Sequence, residues 1–184
     1  MDDSVDHYLG RYPFHHESIE SWPIQGRMRV RLSVADSLPP AAVSSSILAI
    51  VMNAQRQFLY LWPSQPSGSI SHFLIGGRPE GNETPEETAV REVGEETGWQ
   101  IRPLQMIGFR HFFHLEPRAE KTDRPYPDFI QPIFAARATA FDPALLLPDD
   151  QIPAEFIDLA TAAKYTERSQ HPLLTAACKT FERR

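Results

Sequence analysis

"GRPEGNETPEETAVREVGEETGW", residues 77–99, is the stretch whose reading decides the fold. From Pro85 to Thr97 it has the composition of a helix, and both ends are marked. Thr84 is suited to cap the start, Pro85 takes the first helical position, and Glu87 lies three residues after the cap, as in a capping box. Gly98 is placed to end the helix in a left-handed turn, and Glu87 and Arg91 stand four apart in the favourable order for an ion pair. With 3.6 residues per turn, Ala89, Val90 and Val93 form one apolar stripe, which predicts packing on a sheet. Glu92, Glu95 and Glu96 fall on a separate, contiguous sector, where like charges repel by a few tenths of a kcal/mol per pair (about 0.2–0.5). Gly94 costs the helix up to about 1 kcal/mol more relative to alanine. Such a helix is not optimised for its own stability. Two readings follow: a solvated acidic face, or an all-oxygen platform for a hard cation such as Mg²⁺ or Mn²⁺.

Outward from the helix, the chain alternates strand and turn signals. "ISHFLIGG" (70–77) reads as a strand ending at a glycine pair, and "SILAIVMN" with "QFLYLWPS" reads as a hairpin with one buried strand. "RMRVRLSV" (27–34) alternates arginines with apolar residues at period two, predicting a half-buried strand. "IRPLQMIGFRHFFHL" and "FIQPIFAARATAF" predict two more, Pro132 best placed near an edge or a bulge. "LATAAKY" (159–165) and "PLLTAACKTFE" (172–182) predict two further helices, with residues 142–153 as the loop before them. Residues 1–26 have no clean period and read as an irregular lead-in. The expected class is α/β (α+β), a mixed β-sheet with helices on its faces in a single domain. Residues 1–34 form an N-terminal extension and first strand, a candidate dimer arm, and residues 35–184 the main body.

The 184 residues suffice for one domain with a real core. A net charge of −6 gives no electrostatic attraction for nucleic acid or an anionic membrane. The single cysteine, Cys178, excludes an internal disulfide or a multi-cysteine metal site. The apolar run "ILAIVM" is far short of the ~20 residues that cross a bilayer, and "MDDSVDHYLG" lacks the order of a signal peptide. The expectation is a cytoplasmic soluble protein.

Residues 77–99 also resemble the Nudix box, the signature of the Nudix hydrolase family. Gly77, Glu83, Arg91, Glu92, Glu95, Glu96 and Gly98 fill its fixed positions, and Val93 fills the first apolar one. Seven such matches have a chance on the order of 10⁻⁸ per start point. Two departures are mild: Trp99 stands where an aliphatic residue is commoner, and Gly81-Asn82 precede Glu83 where many members have glycine directly. The resemblance implies an α/β/α sandwich and metal-dependent hydrolysis of a diphosphate bond in a nucleoside diphosphate linked to another group. It implies Glu92, Glu95 and Glu96 as ligands of Mg²⁺ or Mn²⁺, with the Gly77 carbonyl as a further ligand, and Arg91 with Glu83 as a supporting pair. Glu80 is a candidate for reaching the metal through water. The general base is open: Glu95, or a carboxylate outside the box among Glu116, Glu120, Asp123 and Asp128. The resemblance also implies a nucleotide diphosphate as partner and a possible homodimer.

Other features carry less. His111 and His114 point to opposite faces of a strand, which argues against a zinc pair. Phe109, Phe112, Phe113 and Tyr126 are candidates for base stacking or for core. Three rivals share the fold: a non-catalytic nucleotide-binding domain, an isomerase using Cys178, and an RNA-decapping enzyme that the acidic charge does not support. Pro117 lies 18 residues after Trp99, near the spacing of ADP-ribose enzymes without matching it.

Overall fold

The structure, a computed structural model, describes residues 5–22, 26–62, 72–117, 124–148 and 152–182. The strands are β1 (His16–Trp22), β2 (Gly26–Val34), β3 (Ile47–Met52), β4 (Phe58–Leu61), β5 (Ile75–Gly77), β6 (Trp99–His114), β7 (Asp128–Phe141) and β8 (Ala154–Ile157). The helices are α1 (Val5–Leu9), α2 (Pro85–Thr97), α3 (Leu159–Tyr165) and α4 (His171–Thr180). The sheet runs β1-β2-β6-β7-β3-β4-β8, with β5 pairing β3 off that path. β3 and β7 are parallel and the other pairs antiparallel, so the sheet is mixed.

Strand β3 shows why the sheet lies between layers. All six of its residues are buried, and period two divides them between two clusters. Ile47, Ala49 and Val51 pack with Ala89 and Val93 of α2, while Leu48, Ile50 and Met52 share a cluster with Leu173, Leu174 and Ala177 of α4. Helices cover both faces of the sheet, as expected for an α+β sandwich.

Several elements differ from the expectation. Residues 1–26 are not irregular throughout, since they contain α1 and β1. Tyr8 of α1 is buried against Phe109, ring centroids 5.2 Å apart, and donates its hydroxyl to Ser37 O at 2.8 Å. β5 holds only three residues of "ISHFLIGG"; residues 70 and 71 lie outside the described residues. Both hairpin strands are buried, not one. β8, within the stretch left between loop and helix, pairs with β4. Pro132 meets the expectation of a bulge, though on the interior strand β7. It faces Phe109 beside the register shift at Met106/Gly108, one residue before the β3 ladder begins at Leu48 and Ile133.

Candidate active site

The site is built where β5 leads through a loop into α2. At the cap, Thr84 Oγ1 accepts from Glu87 N at 3.2 Å and Glu87 Oε2 accepts from Thr84 N at 2.8 Å, closing the capping box. Gly98 ends the helix with φ 72°, and its N–H donates to Gly94 O. With Glu87 engaged at the cap, the expected Glu87–Arg91 pair gives way to a different one. Arg91 swings to the loop, with Nε 2.8 Å from Glu83 Oε1 and Nη2 donating to Glu83 Oε2 at 3.1 Å and to Arg78 O at 2.8 Å. Glu83 in turn accepts from Glu80 N and Thr88 Oγ1. Arg91 beside it, with those donors, lowers the Glu83 carboxyl to about 2, and the same contact with Glu83 raises Arg91. Loop 78–83 and helix α2 are thereby clamped together.

Arg91 Nη1 lies among the other carboxylates, 2.8 Å from Glu95 Oε2, 3.0 Å from Glu92 Oε1 and 3.8 Å from Glu80 Oε1. Glu92 folds back onto Gly77, where a Cβ would overlap its carboxylate. Burial raises the Glu92 carboxyl, Arg91 pulls it down, and the charges of Glu95 and Glu80 push it up again. The backbone carbonyl of Glu95 accepts from Leu147 N at 3.1 Å and that of Glu96 from Ile152 N at 3.2 Å, which ties the following loop to the helix end. Glu80, Glu83, Arg91, Glu92 and Glu95 are thus brought together, with Gly77 at their edge and Glu96 half-buried on the same helix. Among the described residues no three His, Cys, Asp or Glu side chains converge as a ready metal sphere, because Arg91 stands between the carboxylates. The donors are nonetheless all oxygen, crowded, and partly desolvated at Glu92. That set suits a hard divalent cation.

Of the distal carboxylates, Glu116 follows β6 and accepts from Arg27 N, at the start of β2, at 3.4 Å. Asp128 stands 3.6 Å from His111 Nε2. Neither has a described contact with the α2 glutamates; Glu120 and Asp123 lie outside the described residues. His111 and His114 are both buried on opposite faces of β6, His111 stacked on Phe14 and His114 beside Tyr126 and Phe129. Phe109 and Phe112 are core, Phe113 is half-buried and Tyr126 is exposed. Cys178 lies in the apolar cluster on the far face from α2, and burial raises its thiol. A residue that no motif in the sequence marks is Arg110, immediately before His111 on β6. It is largely buried at a cavity of about 210 Å³ on the α4 side of β1, β2 and β6.

A mixed sheet between helices, with a glycine-ended strand feeding a capped acidic helix, defines a Nudix-type domain. Residues 43–178 match the family described as NUDIX domain, and the chain belongs to that family. Its fold is similar to a variant of the Bacillus subtilis pyrophosphohydrolase BsRppH, at 16% identity and TM-score 0.54, covering 84% of this chain and 93% of that one. A NUDIX hydrolase from Nitrosomonas europaea aligns at 19% identity and TM-score 0.49 over 75% of this chain and 88% of that one. No curated protein matches the sequence significantly. Among the described residues no helix is long and apolar enough to cross a membrane.

Proposed function

We propose that the protein hydrolyses the diphosphate bond of a nucleoside diphosphate linked to a further group, with Mg²⁺ or Mn²⁺ as cofactor. The observation that carries this is the gathering of Glu92, Glu95 and Glu80 around one cationic point beside Gly77, with Glu83 holding that point from behind. Glu92, Glu95, Glu96 and the Gly77 carbonyl are the groups that would hold the ion. When bound, it would neutralise phosphate charge and make water easier to deprotonate. The chain's own residues do the rest. Glu83 and the Arg78 carbonyl orient Arg91, and Arg91 fixes the loop against α2, so that Gly77 and the glutamates keep their spacing. Glu95, which shares Arg91 Nη1 with Glu92, is the candidate to take the proton from the attacking water.

The test is a metal-supplemented screen of ADP-ribose, nucleotide sugars, dinucleoside polyphosphates and nucleoside triphosphates. Turnover should need the metal, stop with chelator, and fall at least about a hundredfold in Glu95→Gln and Glu96→Gln with circular dichroism unchanged. No turnover on any substrate, together with tight nucleotide binding, would replace this reading with a regulatory nucleotide-binding domain. An isomerase role is disfavoured by the placement of Cys178, and a Cys178→Ala variant that loses all activity while folded would restore it.

A further inference from the structure

Strand β1 forms one end of the sheet, and among the described residues β2 is its only strand neighbour. Every second residue of such an edge turns its N–H and C=O away from the sheet, where a further strand can pair with them. Protein edges are commonly blunted by shortness, by proline, by lysine or by a bulge. The opposite edge, β8, is four residues long and follows Pro153. β1 has none of these protections: its seven residues include neither proline nor lysine, and they pair with β2 in one unbroken register. Its two acids are drawn back onto their own chain. Glu17 Oε2 accepts from Arg31 Nε at 2.6 Å, and Glu20 Oε2 accepts from Trp22 Nε1 at 2.9 Å. At the centre of the strand Ile19 is 60% exposed, the most of any large apolar residue described.

The sequence of β1, "HESIESW", matches its own reverse about Ile19. Against a second copy running antiparallel, Ile19 meets Ile19, Ser18 meets Glu20, Glu17 meets Ser21 and His16 meets Trp22. All seven residues then pair, and no like charges stand opposite each other. Neighbouring registers fit worse. An axis at Glu20 or at Glu17 sets a glutamate directly against its own copy, which destabilises an antiparallel pair. An axis at Ser18 pairs only residues 16–20 and puts Ile19 opposite Glu17.

The flanking strands extend the match. Ser21 lies beside Arg27, and Glu17 beside Arg31, in the β1–β2 register. Across the axis one face therefore reads Arg27, Ser21, then Glu17 and Arg31 of the second copy. Arg27 is exposed and makes no ion pair among the described residues. Two strand spacings, about 10 Å, separate it from that Glu17, a gap that both long side chains bridge over a serine. Stable complexes bury about 1,200–2,000 Å², more than one strand pair of this length supplies, so the pairing is reversible on dilution.

We propose that β1 is a self-association edge, joining two copies of this chain antiparallel about Ile19 into one continuous sheet. The dimer is independent of the chemistry at α2, and no turnover enters its test. The mass of the full chain is followed by light scattering from about 1 to about 200 µM, the range in which a small interface dissociates. It should rise from 20.9 kDa toward twice that value. Ser21→Glu sets a carboxylate against Glu17 at both ends of the pair and should weaken association on the order of tenfold, whereas Ser21→Arg should tighten it by a similar factor. Ser21 is exposed, so both variants should melt as wild type. Diamide oxidation should link Ile19→Cys to its copy, because directly opposed residues stand about 4.5–5.5 Å apart, within disulfide reach. Ser21→Cys, four residues out of line with its copy, should not link, and wild type with its buried Cys178 gives the background. A mass that stays at 20.9 kDa at every concentration overturns the proposal and leaves the edge to a strand of another protein. So does a dimer indifferent to both Ser21 variants, or one in which Ser21→Cys links as readily as Ile19→Cys.

Discussion

At the scale of single residues, Arg91 is the hinge of the candidate site, because one guanidinium serves Glu83, Glu92 and Glu95 and the loop carbonyl of Arg78. Arg91→Lys keeps the charge and loses the fork, so it should cost about 2–3 kcal/mol in a urea melt, the worth of charged hydrogen bonds that are not replaced. Glu83 gives a pH signature. Its carboxyl is held at about 2 in the fold, below the ordinary 4.5, so its contribution is complete above 4.5. That contribution is lost as pH falls through 4.5 toward 2. The melting-temperature gap between wild type and Glu83→Gln should therefore be widest above pH 5 and close by pH 2; a gap that persists at pH 2 refutes the linkage. The identities of Gly77, Glu83, Arg91 and the three glutamates were legible, since the spacing of a local motif is visible in sequence. The Arg91–Glu83 pair was implied only by the resemblance, whereas helix spacing offered Glu87. The choice between Glu87 and Glu83 depends on the loop returning over the helix, a path that helix periodicity does not encode.

At the scale of elements, α2 resolves a puzzle in its own sequence. Gly94, unfavourable inside a helix, faces Leu145, and an added Cβ would stand 3.4 Å from Leu145 Cδ1, an ordinary contact. Gly94→Ala should thus be tolerated and stabilise by up to about 1 kcal/mol in chemical denaturation. Gly98→Ala should do the opposite. Its φ of 72° and a Phe141 Cε2 atom 2.7 Å from the new Cβ predict a loss of about 1–2 kcal/mol or more. If both variants shift stability in the same direction, the roles assigned to the two glycines are wrong. The helix bounds were legible because Thr84, Pro85 and Gly98 are chemically specific caps. β8 was not, being four residues with a mixed burial pattern whose stability comes from pairing with β4.

At the scale of the whole molecule, the strand order was hidden from the sequence because most pairings join distant segments. β7 lies between β6 and β3, and β2 lies on β6 across some eighty residues of chain. The same topology changes what the N-terminal residues do. Read as an irregular lead-in, they suggested an arm for a second subunit; in the fold, β1 pairs β2, which pairs β6 next to Phe112. Tyr8 meanwhile covers Phe109, and Ser33 donates to Pro13 O at 2.9 Å. These contacts all lie within one chain, so removing the segment should damage the fold before it alters assembly. Tyr8→Ala should cost about 3 kcal/mol, the usual toll for deleting a buried aromatic. Deleting residues 1–22 should go further, exposing the β2 edge and the Phe109 face, and give a lower melting temperature and soluble aggregate by light scattering. A shortened chain that melts as wild type and only falls from dimer to monomer mass would show the opposite, an arm that serves the partner and not its own sheet.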